Sequence, residues 1–346
     1  MSHKLNELGW SAHFMMQLHE HELQTFPVAR ITQVHRNQLI GISNEGELSL
    51  SVTNHGSTGE YAVGDWVVFD EHLQVVRMLD RLTEVGRRAA GEDVRTQLIA
   101  ANLDVLFITT SCNKDFNVAR LERYLALAQQ AGVQPVVLLT KADLVEDTRT
   151  YECEVQKIDR LLPVIALDTR DETQITPLFD WWKTGQTAAL VGSSGVGKST
   201  ILNSLSGSSA KTAGIREDDA RGRHTTTSRC LYPVGDGRWL MDTPGMRALR
   251  LHDASEGVSA VFQDLVELAG KCRFSDCSHG TEPGCAIQSA IQSGELDSGR
   301  LKRWQKLERE EQYNSETVAQ SRARTKDFGK MIKRTHAGSR HMKGDY

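Results

Sequence analysis

Long uninterrupted apolar runs are missing from this 346-residue sequence. A membrane-spanning helix needs about 18 or more such residues in a row, and the first 24 residues also lack the apolar centre of a signal peptide. We therefore expect a cytoplasmic protein that does not associate with membranes. Cysteine is scarce as well: the 6 in the chain exclude a disulfide scaffold. Three of them, Cys272, Cys277 and Cys285, crowd into one short segment, which favours a metal site.

A strong net charge is also absent, because 41 basic and 45 acidic residues leave only −4. Residues 300–346, however, carry 13 Lys and Arg against 6 Asp and Glu, a balance of +7, so the first 299 residues carry −11. The C-terminal segment is therefore the part suited to a polyanion. Hydrophobic residues make up 39% of the chain, which excludes disorder as the main state. The length predicts about two or three domains.

An all-β pattern occupies residues 26–97, after an N-terminal arm of residues 1–25. The segments VARITQV, GELSLSV, VGDWVVF and LQVVRML are apolar or alternating, and turn sequences such as NEG and DEH separate them. About five strands in about 70 residues predict a small barrel of the OB or SH3-like type. Such barrels bind oligonucleotides in some proteins and serve as plain structural modules in others, and both interpretations stay open here.

Strands and helices alternate over residues 98–251. An amphipathic segment at 118–131, ended by Gly132, predicts a helix. Apolar segments predict buried strands at residues 105–109, 135–139, 163–167, 188–191 and 239–241. This alternation predicts a doubly wound α/β domain, with a parallel sheet and helices on both faces.

A phosphate-loop motif follows the 188–191 strand, since G-S-S-G-V-G-K-S fits the pattern G-x-x-x-x-G-K-S and leads into a helix-compatible sequence. Its glycines let backbone N–H groups surround phosphates at the start of a helix, where the helix dipole favours anions. We expect Lys198 to reach the β- and γ-phosphates and Ser199 to ligate Mg²⁺. The predicted nucleotide-binding residues of the loop are Gly192, Ser193, Ser194, Gly195, Val196, Gly197, Lys198, Ser199 and Thr200.

A second motif indicates which base is bound. Thr140, Lys141, Ala142 and Asp143 follow the 135–139 strand and are similar to the N-K-x-D guanine motif, with Thr in place of Asn. The Asp143 carboxylate can accept two hydrogen bonds from guanine N1–H and N2–H₂, which adenine does not offer there. We expect Lys141 to lie along the base. The Thr at 140 lacks an amide that would brace neighbouring loops, so weaker binding without a change of base is expected.

The remaining nucleotide motifs follow the phosphate loop. In the sequence D-T-P-G, we expect Asp242 to hold Mg²⁺ through water and the Gly245 N–H to sense the γ-phosphate. In the sequence G-R-H-T-T-T, one threonine is expected to ligate Mg²⁺ when GTP orders the segment, the candidates being Thr225, Thr226 and Thr227. The T-K-A-D segment precedes the phosphate loop, whereas GTPases normally place it last. The domain is therefore predicted to be circularly permuted.

The crowded cysteines form C-x₄-C-x-H-x₅-C, with Cys272, Cys277, His279 and Cys285 as ligands. Three thiolates and one imidazole complete a tetrahedral zinc site with no open position, which predicts one structural Zn²⁺ in a domain of residues 252–300. Beyond it, residues 301–346 form a predicted basic helical tail. Its positive charge, interleaved with Phe328, Met331 and His336, favours contact with RNA over a merely solvated tail.

These motifs together resemble the RsgA (YjeQ) family of small-subunit-dependent GTPases, over about residues 26–340. The resemblance implies an OB-type barrel, a permuted GTPase domain and a C-terminal zinc domain. It also implies a slow GTPase that binds GTP and GDP, is stimulated by the 30S subunit and its 16S rRNA, and serves late 30S maturation. We expect a monomer. One departure is that residues 167–169 lack the Ser-Ala of the fifth GTPase element.

The motifs do not identify the catalytic residue. Met246 stands where many GTPases have a water-orienting glutamine, and a thioether cannot do that. His224 is the candidate catalytic residue, in agreement with the role that the resemblance implies, with a purely loop-shaping role as the alternative. Two other functions also stay open: a non-ribosomal regulatory NTPase, and a nucleotide-gated RNA-binding module with negligible hydrolysis.

Overall fold

The fold is known from a computed structural model that describes residues 4–52, 56–88, 96–206, 230–242 and 253–315. Five antiparallel strands form the first β unit: β1 Val28–Val34, β2 Leu39–Ser43, β3 Gly46–Leu50, β4 Trp66–Phe69 and β5 Val75–Met78. β1 pairs with both β2 and β4, while β2 pairs with β3 and β4 with β5. A parallel bridge between Ser51 and Gln74 joins the end of β3 to the start of β5. The strands therefore close in the order 1-2-3-5-4-1, which is the Greek-key order of an OB-type barrel.

Side chains from alternate positions of the strands fill the interior of the barrel. Side chains at every second position point inward because successive residues of a strand face opposite sides. The buried apolar residues of the barrel are Ala29, Ile31, Leu39, Leu50, Val67, Phe69 and Val75. A separate two-stranded ribbon, β6 Glu84–Arg88 and β7 Thr96–Ala101, follows the barrel.

A parallel sheet forms the second unit. Its strands are β8 Val105–Ser111, β9 Gln134–Thr140, β10 Val164–Leu167, β11 Thr187–Val191 and β13 Trp239–Asp242, with the antiparallel β12 Cys230–Pro233 beside β13. The strand order is β10-β9-β8-β11-β13-β12. Successive crossovers leave in opposite directions from the adjacent strands β8 and β11. Because open α/β sheets bind ligands at such a switch point, outside the carboxyl ends of the strands, this edge is where a site is expected.

Helices cover both faces of this sheet, as predicted. They are α3 Val118–Ala131, α4 Arg149–Gln156, α5 Leu178–Trp181 and α6 Lys198–Ser206. Leu106 and Ile108 of β8 pack in a core with α3 and α4, while Val105 and Phe107 pack in another core with α5 and α6. All seven residues of β8 are buried for this reason. α3 has the predicted limits, since Asn117 caps its start and Gly132, at φ 67°, ends it.

The N-terminal residues contact both units through a buried arginine. Short helices α1 Ala12–Met15 and α2 Glu20–Thr25 precede the barrel. Arg30 of β1 donates to Leu8 O at 2.8 Å, to Asn102 O at 3.2 Å and to Thr187 Oγ1 at 2.6 Å. Burial lowers the pKa of this guanidinium to about 10, so it stays charged at neutral pH. One side chain thus ties the arm and the barrel to the first residue of β11.

The C-terminal described residues form a helical unit: α7 Ser255–Val261, α8 Gln263–Ala269, α9 Ala286–Gln292 and α10 Ser298–Ser315. Their shared core includes Val258, Phe262, Leu265, Ile287, Leu301, Trp304 and Leu307. α10 crosses the predicted limit between residues 300 and 301, and its first turns pack in this core. Among the described residues, no helix is long and apolar enough to cross a membrane.

α3 joins the helical unit to the sheet. A Cβ on Gly257 of α7 would lie 2.0 Å from Ala126 O, so the two helices approach more closely than any side chain at 257 allows. Arg303 Nε donates to both oxygens of the fully buried Glu122 carboxylate, at 3.0 and 2.9 Å.

Candidate functional site

The predicted phosphate loop lies between β11 and α6, at the carboxyl edge of the sheet. Gly192, Gly195 and Gly197 adopt φ values of 146°, 78° and 97°, which L side chains rarely accept. Gly192 also lacks room for a side chain, because a Cβ there would lie 2.2 Å from Thr109 O. The sequence therefore needs glycine at these positions to turn the backbone between strand and helix.

Two side chains hold the loop in shape. The Thr140 hydroxyl donates to Val196 O at 2.6 Å, from the end of the neighbouring β9. Lys198 Nζ donates to Gly192 O at 3.0 Å and also to Ser193 O. The sequence suggested that Thr140 would lose the bracing of an asparagine amide. The hydroxyl instead braces the phosphate loop directly.

A cavity of about 380 Å³ lies at this edge. It is lined by Lys141, Asp143, Leu144, Asp168, Thr169, Arg170, Ser194, Gly195, Gly197, Lys198, Ser199 and Thr200. The loop and the T-K-A-D segment, about 50 residues apart in the chain, thus meet in one cavity because their strands end at the same edge. The other predicted residues, Thr140, Ala142, Gly192, Ser193 and Val196, are not part of this lining, and Thr140 and Val196 lie buried behind it.

The cavity also contains residues to which sequence reasoning gave no binding role. Asp168, Thr169 and Arg170 follow β10 and reach the cavity because β10 runs parallel to β9. Arg170 donates to Asp168 through Nε and Nη2, both at 3.0 Å, and through Nη2 to Asp143. The hydrogen bonds from Arg170 keep the pKa of Asp168 below its usual value. The sequence marked residues 167–169 only as the place where the Ser-Ala of the fifth GTPase element is missing, so their part in the cavity follows from the position of β10 beside β9.

A second unassigned group contacts the loop from α3. Arg120 Nη1 donates to Ser193 Oγ at 2.7 Å and to Asp115 Oδ2 at 3.0 Å. Ser193 Oγ donates in turn to Asp115, and this bond, with that of Arg120, holds the pKa of the Asp115 carboxyl below its usual range. Asp115 is thus charged at neutral pH, and α3 is connected to the phosphate loop.

Most of the predicted switch residues lie outside the described part of the chain: His224, Thr225, Thr226, Thr227 and Gly245. Asp242 is the last residue of β13, which runs parallel to β11. Its backbone therefore ends at the same sheet edge as the phosphate loop.

The four predicted metal ligands converge in the C-terminal unit. One ligand atom from each of Cys272, Cys277, His279 and Cys285 lies within 4.8 Å of the others. His279 Nδ1 is 3.6 Å from the sulfurs of Cys272 and Cys285, which are 3.9 Å apart. Tetrahedral ligands about 2.3 Å from a zinc ion would lie about 3.8 Å apart. The donor set and its spacing therefore fit a four-coordinate metal ion.

The surroundings act in opposite directions on two thiols of this cluster, because desolvation raises the pKa of the Cys277 thiol to about 11. Burial alone raises the pKa of the Cys272 thiol, but the backbone N–H groups of Ala286 and Ile287, at the start of α9, bring it below its ordinary value. Gln288 Nε2 donates to His279 O at 2.6 Å, and the His279 ring stacks on Trp304 with centroids 5.7 Å apart. These contacts fix the imidazole against α9 and α10.

Comparison with known proteins gives consistent results. Residues 78–252 match the RsgA GTPase family. The small ribosomal subunit biogenesis GTPase RsgA of Mesorhizobium japonicum is 49% identical over 319 residues, which cover 91% of this chain and 92% of that protein. Small ribosomal subunit biogenesis GTPase RsgA 2 of Vibrio parahaemolyticus is 45% identical over 346 residues, covering 100% of this chain and 96% of that protein.

Two solved structures are similar in fold. YjeQ from Thermotoga maritima aligns with a TM-score of 0.60 and 22% identity over 82% of this chain and 97% of that chain. YloQ, described as a circularly permuted GTPase, aligns with a TM-score of 0.56 and 23% identity over 84% of this chain and 96% of that chain. The predicted architecture is thereby confirmed: an OB-type barrel, a circularly permuted GTPase fold and a C-terminal helical unit with a Cys/His cluster. The identity and coverage of the relatives establish that this chain belongs to the RsgA GTPase family.

Proposed function

We propose that this protein is a GTPase of small ribosomal subunit maturation, which binds the 30S subunit and its 16S rRNA in the GTP state and leaves after hydrolysis. The observation that carries the proposal is the single cavity in which the phosphate loop faces the T-K-A-D segment. A loop alone would accept any nucleoside triphosphate. The Asp143 carboxylate in the same cavity adds selectivity for guanine, because it can accept hydrogen bonds from the guanine N1–H and N2–H₂.

Each part of the cavity has a role in this proposal. The backbone N–H groups of residues 192–198 hold the α- and β-phosphates, at the start of α6. Lys198 contacts the β- and γ-phosphates when it leaves Gly192 O, and Asp143 pairs with the guanine N1–H and N2–H₂. Lys141 lies along the base, with Thr140 and Ala142 as its supporting neighbours.

The Mg²⁺ site would be built from oxygen donors, as this ion requires. Ser199 lines the cavity, and the end of β13 brings Asp242 to the same edge. One of Thr225, Thr226 and Thr227 completes the set, and the Gly245 N–H senses the γ-phosphate. A bound Mg²⁺ would neutralise charge on the β- and γ-phosphates.

The Cys/His cluster is proposed to hold one structural Zn²⁺. All four donors are protein side chains, so no coordination position is left for a catalytic water. Cys272 and Cys285 flank residues 273–284, and the other two ligands, Cys277 and His279, lie within that segment. Cross-linking them would fix that segment against α9 and Trp304.

The partner assignment is supported by charge and by the relatives' names. The segment from residue 300 onward carries +7 on a body of −11, which suits it to the RNA phosphate backbone. We propose that the protein acts in the cytoplasm as a monomer. Its proposed domains are residues 1–25 (arm), 26–97 (barrel), 98–251 (GTPase), 252–300 (zinc) and 301–346 (tail).

Co-sedimentation with purified 30S subunits tests the proposal. We expect the full-length protein to sediment with 30S in a non-hydrolysable GTP analogue and much less in GDP, and we expect 30S subunits to accelerate its hydrolysis of GTP. The variant Lys198→Ala, which removes the phosphate-binding ammonium, should lose the nucleotide dependence. Sedimentation that is independent of nucleotide would contradict a GTP-gated ribosomal role. Sedimentation without accelerated hydrolysis would indicate a nucleotide-gated RNA-binding module instead.

His224 is proposed to orient the attacking water, because Met246 cannot. His224→Ala is then expected to lower 30S-stimulated turnover by about a hundredfold or more, the range of general-base contributions, while GTP affinity stays the same. His252→Ala, which alters a histidine outside the G-R-H-T-T-T sequence, is the control. Unchanged turnover in His224→Ala with intact GTP binding would exclude the catalytic role.

A further inference from the structure

Arg170 is hydrogen-bonded to Asp143, whose carboxylate the proposed guanine recognition requires. Nη2 of Arg170 donates to Asp143 Oδ2, and Nε and Nη2 together hold both oxygens of Asp168. The guanidinium therefore lies between two carboxylates, and all three residues line the same cavity. The side chain of Arg170 is 68% exposed, whereas those of Asp143 and Asp168 are 25% and 19% exposed.

A guanidinium and the edge of guanine offer a carboxylate similar chemistry. Guanine presents N1–H and N2–H₂ on adjacent atoms, and arginine presents N–H groups from the nitrogens around one carbon. Both are flat donors suited to paired hydrogen bonds with a carboxylate. The oxygen of Asp143 that Arg170 occupies is one of the two that guanine would use, so base and arginine cannot both bind it fully.

We propose that Arg170 competes with the guanine base for Asp143 and so sets the affinity of this site for guanine nucleotides. The inference rests on the proposed function, since it takes Asp143 as the base-reading residue. Arg170 keeps its two hydrogen bonds to Asp168 when a base displaces it from Asp143, so only one contact is lost. A solvent-exposed ion pair is worth at most a factor of about five in an equilibrium constant, which bounds the effect.

The chain contains a matched control for this arginine. Asp147-Thr148-Arg149 repeats the tripeptide Asp168-Thr169-Arg170, and Arg149 Nε likewise contacts both oxygens of Asp147, at 3.0 and 2.9 Å. Arg149 is 83% exposed and is not part of the cavity lining. Arg149→Ala thus removes the same charge and the same type of local ion pair from a residue that does not line the cavity.

The experiment measures the dissociation constant of fluorescent mant-GDP for the full-length protein and three variants. We expect Arg170→Ala to bind two- to fivefold more tightly than the wild type, Arg170→Lys to lie between them, and Arg149→Ala to match the wild type. The advantage of Arg170→Ala should shrink in 1 M salt, because salt screens the exposed competing pair. In an Asp143→Asn background, Arg170→Ala should bring no gain.

Each other outcome overturns the inference. Equal affinity of Arg170→Ala and the wild type would show that the pair does not compete with the base. Weaker binding by Arg170→Ala would show that Arg170 holds the nucleotide instead. If the wild type binds mant-GDP and ATP does not displace it, either result leaves the guanine assignment intact. A wild type that fails to bind mant-GDP would overturn the proposed function itself, and this inference with it.

Discussion

Replacing Thr140 by Val would remove the buried hydrogen bonds of its hydroxyl while keeping the shape of the side chain. Thr140 is fully buried, and its hydroxyl donates to Val196 O at 2.6 Å and, at the longer distance of 3.2 Å, to Thr110 O of the neighbouring β8. Loss of such a bond costs about 1–2 kcal/mol of folding free energy. Because the bond joins the end of β9 to the phosphate loop, part of this cost should reach the nucleotide. We expect a lower melting temperature and GDP binding weakened by up to about tenfold, the equivalent of 1.4 kcal/mol.

Thr109→Val is the matched control, on the adjacent strand β8. Thr109 is equally buried, but its hydroxyl has no hydrogen-bond partner within the described residues. Removing a desolvated hydroxyl should leave stability unchanged or raise it by up to about 1 kcal/mol. Thermal unfolding followed by circular dichroism, together with GDP titration, measures both variants. Equal losses in the two variants, or no loss in Thr140→Val, would refute the bracing role of the Thr140 hydroxyl.

Three further predictions concern other sites. Asp143→Asn should weaken GTP binding and gain xanthosine triphosphate, as measured by competition titration, because an amide donates where the carboxylate accepted. Cys285→Ser should abolish bound zinc in elemental analysis and lower the melting temperature, whereas Cys153→Ser, on an exposed side chain, should change neither. A hydrogen bond from Arg77 lowers the pKa of Glu22 to about 2 from its ordinary 4.5. The stability that this pair contributes is complete above pH 4.5 and is lost as the pH falls towards 2, and Glu22→Gln should flatten that loss in acid titration.

The parallel sheet could be predicted from the sequence because its strands are buried on both faces. The segments at 105–109, 135–139 and 188–191 are continuous apolar runs, and the structure extends each by one or two residues at most. β12 was missed, since C-L-Y-P is short and ends in proline, which typically breaks a strand pattern. It pairs with β13 and, at Cys230, with Gln33 of the barrel, so a long-range contact stabilises it.

The site was only partly predictable, because some of its residues come together only through long-range packing. The phosphate loop and the Cys/His cluster are local motifs. Their residue spacing alone indicates phosphate binding for the first and metal binding for the second. Asp168 and Arg170 belong to the cavity only because β10 pairs with β9, and Arg120 reaches Ser193 only because α3 packs on the same sheet. The bracing role of Thr140 needed both kinds of information, because it requires the motif at residues 140–143 and the packing that brings Val196 O within 2.6 Å of the Thr140 hydroxyl.

α3 contacts the phosphate loop with its first turn and the C-terminal unit with its middle. Arg120 bonds Ser193, whereas Glu122 bonds Arg303 and Ala126 packs on Gly257. Residues 243–254 connect β13 to α7 along the chain. The C-terminal unit is therefore attached to the GTPase fold in two ways: covalently along the chain, and non-covalently through α3. A change in the phosphate loop therefore has a route to the C-terminal unit through Arg120 and α3, in addition to the route along the chain.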